Sequence, residues 1–577
     1  MTTSIRVADY LFQRLKQAGV DHLFGVPGDY NLGLLEALLQ HDQIKWTSNA
    51  NELNAAYAAD GYARAKGFGA LVTTFGVGEL SALNGVAGSA AEHVPVLHIV
   101  GAPPLAVQAS GAPLHHTFGD GDFERFLRIH AEVAVACAML TPATAASEID
   151  RVLGLVIEQK KPGYLVLPMD VVNHLVHVDE PHSTRPAPSA ALPAFRSALA
   201  ASLAQPRRVS LIAGHLAERF AAKASVRAMV KTHGLMSASL LMGKGTLDEQ
   251  APTHIGLYVG GASAPAVKQA IEGCDLVIAV GVTFTDAVTG GFTDNLPRSK
   301  VLDIQPFSTR LNEVDYALRM HEALQCLDDV LKDHRPLPAT PFIHAPTASF
   351  DAATQLNQVD LWTIVGQALT DNDIVVADLG TTFFGAAAIS LPSGAGFVAQ
   401  PLWGSIGFSI PAAYGTQKAA PASQVLLIVG DGSALLTAQE IGNMLRDDLS
   451  LTILLLNNDG YTIERLISNP QRAYHDVPAW DWTKLPGLMG KGKASQVQTV
   501  TTNQQLAEAL AARDQQVGLR FIEAVLPKLD APVLMTTITD AISKSNANAL
   551  AYHEDTVRKA LGIDHVHGRE MRAAPTG

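Results

Sequence analysis

The stretch VLLIVGDGSALLTAQEIGNMLRDDLSLTILLLNNDGYTIERLI, Val425 to Ile467, reads as strand, turn, helix, strand, turn, helix. Val425 to Val429 has the length and β-branching of a buried parallel strand. Gly430-Asp431-Gly432 breaks the run. Leu435, Ala438, Ile441 and Leu445 then recur at helical spacing and mark one amphipathic helix. A second apolar run, Leu451 to Leu456, ends at Asn457-Asn458-Asp459-Gly460. In a strand–helix–strand unit both strand ends emerge side by side at a ligand crevice, so Asp431 and Asn458 can meet there. A carboxylate, an amide oxygen and a backbone carbonyl are hard ligands that suit Mg²⁺, which completes its shell with water and phosphate oxygens. The glycines, Gly432 among them, let the backbone approach an anion closely. A Gly-Asp-Gly alone occurs in many turns. Paired with the second motif across a strand, helix and strand, it reads as a platform for a magnesium-bound diphosphate.

Composition narrows the class. The 577 residues suggest several domains. A hydrophobic fraction of 47% against 17% charged favours large, well-covered α/β domains with further surface buried in an oligomer. The net charge of −13 argues against a nucleic-acid partner. Cys137, Cys274 and Cys326 lie far apart without metal-type spacing and read as small core residues. The opening MTTSIRVADYLFQRL has no signal-peptide pattern, and no apolar run is long enough to span a bilayer. A cytoplasmic protein without a membrane partner is expected.

Alternating strands and helices predict α/β architecture with a doubly wound parallel sheet in each of three domains. In residues 1–185 the predicted order begins with a helix marked by Val7, Leu11, Leu15 and Ala18. Strand His22 to Val26, loop Pro27 to Asn31, helix Leu32 to Leu39 and strand Ile44 to Thr47 follow. Helix Leu53 to Lys66, strand Ala70 to Thr74, helix Leu80 to Ala90 and strand Val96 to Val100 continue the pattern. Residues 180–195 read as a linker rich in Pro, Ser and Ala. Residues 190–340 alternate again, with a strand at 209–213, a helix at 217–231 and strands at 276–280 and 300–304. No G-x-G-x-x-G follows a strand in this middle domain, so no bound nucleotide is expected. A Pro-rich linker at 335–346 precedes a third domain, 355–545, in which strand Ile374 to Ala377 comes before the quoted stretch. Residues 546–577 read as a polar tail.

The two motifs of the quoted stretch, with the spacer between them, resemble the diphosphate signature of thiamine diphosphate enzymes. Gly460-Tyr-Thr-Ile-Glu464 is narrower. It resembles the 2-oxo acid decarboxylases of the pyruvate, indolepyruvate, phenylpyruvate and branched-chain types, and the likeness runs from about residue 4 to about residue 545. The resemblance implies thiamine diphosphate and Mg²⁺ as cofactors. It implies that Asp431, Asn458 and the Gly460 carbonyl hold the metal and that Gly432 and Ser433 bind the diphosphate. SNANELNAAYAADGYAR resembles the segment that carries the family's glutamate, which gives that role to Glu52. A Glu in the first turn of a helix is otherwise a dipole-favoured surface residue. In the family its carboxyl bonds the pyrimidine ring and favours the imino tautomer that takes the thiazolium C2 proton. By the same likeness Thr381 lies near the aminopyrimidine, and the Gly404 carbonyl accepts from its exocyclic nitrogen. Ile406, stiff at χ1, wedges the cofactor into its bent form.

GVPGDYN and LHHTFG match the decarboxylases and imply that Asp29, His115, His116 and Glu464 form a proton relay. A metal role for the histidine pair is not expected, because neighbours on a loop point apart and no third ligand is evident. Ala287, Phe383, Ile463 and Ile467 correspond to the substrate pocket. Ala287 is small where pyruvate-selective bacterial enzymes tend to carry an aromatic, and GTTFFGAA looks like the branched-chain and phenylpyruvate enzymes; Leu379 departs from the polar residue often found there. The resemblance therefore implies non-oxidative decarboxylation of a 2-oxo acid to an aldehyde and CO₂, with branched-chain or aromatic acids accepted beside pyruvate. Three alternatives stay open: a pyruvate-selective decarboxylase, a carboligating enzyme of the acetolactate synthase type, and a non-catalytic assembly protein. The paired histidines argue against carboligation, and Asp431, Asn458 and Glu52 together argue against a structural role. Glu52 and the metal residues lie in different domains. In the family they meet across a subunit interface, so a homodimer at least, and a homotetramer by likeness, is expected. Ala213-Gly214-His215-Leu216 holds no cysteine, so no cysteine-based activation is expected.

Overall fold

The computed structural model describes residues 3–178, 187–334, 336–338, 349–493, 495–515 and 518–541. The first domain holds a six-stranded parallel sheet, ordered across its width Lys45–Ser48, His22–Gly25, Gly69–Thr74, Val96–Ala102, Gly163–Pro168, Ala136–Met139. The third domain repeats the arrangement with Gly396–Val398, Asp373–Ala377, Gln424–Gly430, Thr452–Asn457, Leu519–Val525 and Ser495–Val500. Counted along the chain within each domain, both sheets run 2-1-3-4-6-5. The winding reverses between strands 1 and 3, which opens a crevice beyond their carboxyl ends. Asp29, Glu52 and the histidine pair follow strands 1, 2 and 4 of the first sheet. Thr381, Asp431 and Asn458 follow strands 1, 3 and 4 of the third. Of the strands that aim these residues, Val96–Ala102, Gln424–Gly430 and Thr452–Asn457 are buried on both faces, as their apolar runs dictate, whereas Lys45–Ser48, at the sheet edge before Glu52, is partly exposed.

The middle sheet departs from the fully parallel expectation. Five strands, His254–Leu257, Met236–Ser239, Val209–Ala213, Leu276–Val280 and Val301–Ile304, are parallel. Thr309–Leu311 and Val314–Tyr316 add an antiparallel hairpin at the edge. Asn312 and Glu313 both have positive φ, 50° and 65°, the backbone of a two-residue hairpin turn whose twist matches its strands. A second antiparallel ribbon, Thr3–Arg6 with Leu175–Val178, closes the first domain.

Two helices expected to be continuous are broken. The quoted stretch forms Asp431–Thr437 and Glu440–Arg446. Between them Ile441 and Gly442 donate three residues back, to Ala438 and Gln439, and this tighter turn re-aims the second helix. The first of these helices begins at Asp431 itself, so Gly430-Asp431-Gly432 is a strand end and a helix start, not a loop. In the middle domain His215–Arg219 and Lys223–His233 replace one helix, with Ala221 at φ +57° between them. Helix Leu192–Ser202 begins inside the expected first linker. Residues 180–186 of that linker, most of the second linker and the 546–577 tail lie outside the described residues.

The first and third domains share one core. Helix Glu52–Lys66 packs on helix Ser409–Ala419 through small residues, Ala55, Ala58 and Ala59 against Ala412 and Ala413. A Cβ on Gly61 would run into the Ala412 carbonyl, and one on Gly415 into that of Ala58. Beside this contact the buried Arg64 guanidinium donates to Asp60 at 2.5 Å, Glu92 at 2.9 Å and the Ala399 carbonyl at 2.7 Å. No helix among the described residues is long and apolar enough to cross a membrane.

Candidate active site

Three oxygens converge in the third domain. Asp431 is 2% exposed and follows the central strand. Its Oδ1 accepts from Gly432 N at 2.8 Å and its Oδ2 from Gly460 N at 2.9 Å. The Asn458 amide stands between Asp431 and the Gly460 carbonyl, and two orientations are open to it, one of which keeps the Thr462 contact to Lys528. The Thr462 hydroxyl gives its one proton to the Lys528 carbonyl at 3.1 Å. With that proton so committed, the amide arm 2.8 Å from the hydroxyl is the NH₂, which donates to it. Without a cation the reverse orientation, with the amide oxygen on Thr462 and the NH₂ on Asp431 and the Gly460 carbonyl, makes more hydrogen bonds. In the orientation that keeps the Lys528 contact, the amide oxygen faces Asp431 Oδ1 at 3.2 Å and the Gly460 carbonyl at 3.0 Å, with no proton among the three. Acceptors gathered in this way fit a hard divalent cation. Turning the amide over would close the site with hydrogen bonds at the expense of the Lys528 contact. Burial pushes the Asp431 carboxyl up to about 6, against the two backbone donors that lower it. A cation would remove that penalty. Thr462→Val is expected to raise the half-saturating Mg²⁺ concentration about tenfold by freeing the amide to turn. Mg²⁺ titration of cofactor binding by calorimetry checks this, and an unchanged value would refute the orientation.

Arg465 supports the loop from beneath. It is almost fully buried and donates to the Asp459 and His475 carbonyls at 2.5 and 3.2 Å and to Asp476 at 2.9 Å. Gly432 leaves room for the Tyr461 ring, which stands where a side chain at 432 would be. Ser433, nearly buried, follows in the same turn. Glu464 lies exposed in the first turn of helix Thr462–Ile467.

The first domain gathers a second set. His115 Nε2 and Asp29 Oδ2 are 2.6 Å apart, and His116 Nε2 lies 3.6 Å from Asp29 Oδ1. The histidines therefore do not point apart. His116 sits at φ +61°, which turns its ring back towards Asp29, and the ligand atoms of all three residues lie within 4.8 Å of one another. The expectation of divergent side chains without a third group is corrected on both counts. Burial works to raise the Asp29 pKa, but the His115 hydrogen bond and the charges of both histidines outweigh it, and the carboxyl stays below its usual range. Tyr30 stacks on His115 with centroids 5.1 Å apart; the sequence reading passed over it. Glu52, half-buried, opens helix Glu52–Lys66 behind the Asn51 cap.

The remaining candidates sit on a loop held from three sides. Thr381 starts helix Thr381–Ala388, and Gly404 and the half-buried Ile406 follow in the next crossover. Asp378, completely buried, accepts from Gly407 N at 3.2 Å and Ser409 N at 3.0 Å. Glu92 accepts from Leu402 N at 2.8 Å, and the Tyr57 hydroxyl meets Ser405 Oγ at 2.6 Å. None of these three supports was named from sequence. Of the pocket candidates, Phe383 and Ile463 share an apolar cluster with Phe384, Leu241, Met535 and Ile538. Ala287 and Ile467 are not among that cluster's described members, and Ile467 is 57% exposed. Met535 and Ile538 belong to a helix at 533–541 that the sequence reading did not use. Among the described residues no hydrogen bond or ion pair joins the Asp29–His115–His116 set to the Asp431–Asn458–Gly460 set.

Two sheets of one winding, one with an oxygen cradle at its crevice and one with a carboxylate–histidine cluster, have the parts that a diphosphate-binding enzyme with acid–base groups needs. Family models agree. The thiamine pyrophosphate enzyme N-terminal domain matches residues 5–124, its central domain 197–326 and its C-terminal domain 378–524. Curated relatives include an alpha-keto-acid decarboxylase of Mycolicibacterium paratuberculosis, 44% identical over 543 residues, 92% of this chain and 96% of that protein. Those of Mycobacterium bovis and Mycobacterium ulcerans are each 43% identical over 93% of this chain and 97% and 96% of their own. The chain belongs to the thiamine diphosphate-dependent 2-oxo acid decarboxylase family.

Proposed function

We propose that this carboxy-lyase converts 2-oxo acids to aldehydes and CO₂ with thiamine diphosphate and Mg²⁺, and that it takes branched-chain or aromatic acids beside pyruvate. The observation that carries the reading is that one chain holds both the Asp431–Asn458–Gly460 cradle and the Asp29–His115–His116 cluster. Bound thiamine diphosphate supplies the electron sink for loss of CO₂. Asp431, Asn458 and Gly460 would hold Mg²⁺ against its diphosphate, with Gly432 and Ser433 alongside. Glu52 would hold a proton at the pyrimidine, and Thr381, Gly404 and Ile406 would orient the ring. Asp29 and His115 share a proton across 2.6 Å, and with His116 and Glu464 they would deliver it to the product.

Phe383 and Ile463, with Met535 and Ile538 beside them, support an apolar side chain on the substrate. Aldehyde release from a panel of acids, from pyruvate to indolepyruvate, is expected to give kcat/KM for branched-chain and aromatic acids at least comparable to that for pyruvate. A preference for pyruvate above about 200-fold, more than one methylene contributes, would make it pyruvate-selective. A hydroxyketo acid in place of aldehyde would make it carboligating. The two site halves would meet across a homodimer, or within a homotetramer built as a dimer of dimers. Apolar side chains exposed beside them, Val77, Leu80, Trp403 and Leu436, support a covered face. Light scattering of the holoenzyme tests this, and a monomer that turns over would sink it.

A further inference from the structure

The turn Thr74 to Gly78, between strand Gly69–Thr74 and helix Val77–Ala91, touches three candidate catalytic segments at once. A Cβ on Gly76 would run into the His116 carbonyl oxygen. One on Gly78 would stand 3.3 Å from Glu52 Oε1. One on Gly28, the residue before Asp29, would stand 2.5 Å from the Thr74 Cβ. The backbone of His116, the carboxylate of Glu52 and the loop of Asp29 therefore all rest on this turn. Gly76 itself has φ +64° and ψ −90°, a conformation that L side chains rarely adopt.

Glu79 fastens the turn. Its Oε1 accepts from Gly76 N at 2.7 Å, and its Oε2 accepts from the Tyr164 hydroxyl on strand Gly163–Pro168. A Glu at the third helical position often closes such a bond from the surface. Here the side chain is completely buried. The groups that face it are Tyr164, the neutral ring of His130 with Nδ1 at 3.7 Å but engaged by the Phe126 carbonyl at 2.9 Å, and His98, which lies against both rings. Among the described residues no lysine or arginine pairs with it. A carboxylate is an expensive way to cap a helix in such a place, where burial pushes its pKa up to about 7.

We infer that Glu79 is a positioning residue for the reaction, acting through Gly76 to keep His116, Glu52 and Asp29 in register. The inference rests on the catalytic roles proposed above for those three. Ionised or protonated, Glu79 keeps one oxygen on the Gly76 N–H, so the fastening is a hydrogen bond and not a charge. Two variants separate these. Glu79→Gln keeps the acceptor without the charge, and Glu79→Leu keeps the bulk without the acceptor. With saturating thiamine diphosphate, Mg²⁺ and 2-oxo acid, Glu79→Gln is expected to hold kcat within about threefold. Glu79→Leu is expected to lose about a hundredfold in kcat, the effect of a displacement near 1 Å, with the half-saturating cofactor concentration nearly unmoved because the Asp431 cradle is untouched. Gly76→Ala, which pushes directly on the His116 carbonyl, is expected to show the same kcat loss and stands in if Glu79→Leu does not fold. Folded Glu79→Leu or Gly76→Ala protein with wild-type kcat would overturn the inference. So would a Glu79→Gln protein as impaired as Glu79→Leu, which would assign the effect to charge. A wild-type protein that binds the cofactor yet releases no aldehyde overturns the functional reading first, before any substitution is made.

Discussion

Glu52→Gln is expected to lower aldehyde release from any accepted 2-oxo acid by about 10²- to 10⁴-fold, the usual contribution of a positioned acid–base group. Glutamine keeps the length and an acceptor oxygen but has no acidic proton to share with a ring nitrogen. The fold should not notice. The helix start is held by the Asn51 side chain, which accepts from Asn54 N at 2.8 Å, and among the described residues the Glu52 side chain makes no hydrogen bond or ion pair. Unfolding free energy is therefore expected to move by less than about 0.5 kcal/mol. Because the loss falls on the chemical step, kcat should carry it and KM should change little. Cofactor binding, measured separately by calorimetry, should survive, since the diphosphate end lies on the other sheet. A kcat within tenfold of wild type, an amount too small for an acid–base group, would remove Glu52 from the mechanism.

What the sequence made legible was mostly local. The run Val425 to Val429 and the turn after it place Asp431 at a strand end, because β-branching, length and a glycine stop all act within a few residues. Asn458 follows for the same reason. The supports of the site were not legible, because their partners are far away in the chain. Glu440 lies inside the stretch Val425 to Ile467 itself. It is fully buried and accepts from Asn49 Nδ2, Ala50 N and Asn54 Nδ2 at 2.9, 3.1 and 2.8 Å, residues some 390 positions earlier that flank Glu52. A carboxylate next to Ile441 on an apolar helix stripe was a signal that could have been used. Tyr30, two residues from the Pro-Gly turn, offered less, since only the histidine loop gives its ring a role. The convergence of His115 and His116 depended on the positive φ of His116, which no spacing rule anticipates for a non-glycine residue. The antiparallel edge of the middle sheet hinges on Asn312-Glu313, and Glu is an uncommon occupant of such a turn. The repeated 2-1-3-4-6-5 winding left no repeat in the motifs, because one copy carries oxygen ligands after strands 3 and 4 and the other carries acid–base candidates after strands 1, 2 and 4.

Asp431→Asn is expected to raise the half-saturating Mg²⁺ concentration at least about a hundredfold and to take thiamine diphosphate affinity down with it. Asp431 contributes the one formal charge among the three converging oxygens, and Asn458 and the Gly460 carbonyl are neutral dipoles. Its two oxygens also hold the loop, one on Gly432 N and one on Gly460 N. An amide can accept only one of these bonds, and its NH₂ would face the other donor, so the Gly460 carbonyl would lose its aim as well. Stability should not fall in proportion, since the substitution removes a buried carboxylate that burial already disfavours. That separation is the useful feature of the experiment, because a thermal melt without metal would be nearly unchanged while the stabilisation conferred by Mg²⁺ and cofactor would disappear. Asp459→Asn is the matched control. Asp459 is the exposed neighbour paired with Lys528 at 3.0 Å, and its change should move Mg²⁺ binding by less than about threefold, as for a surface charge. Equal Mg²⁺ sensitivity in the two variants would mean that the cradle responds to net charge near the loop rather than to ligation by Asp431, and the metal would then have to be placed elsewhere.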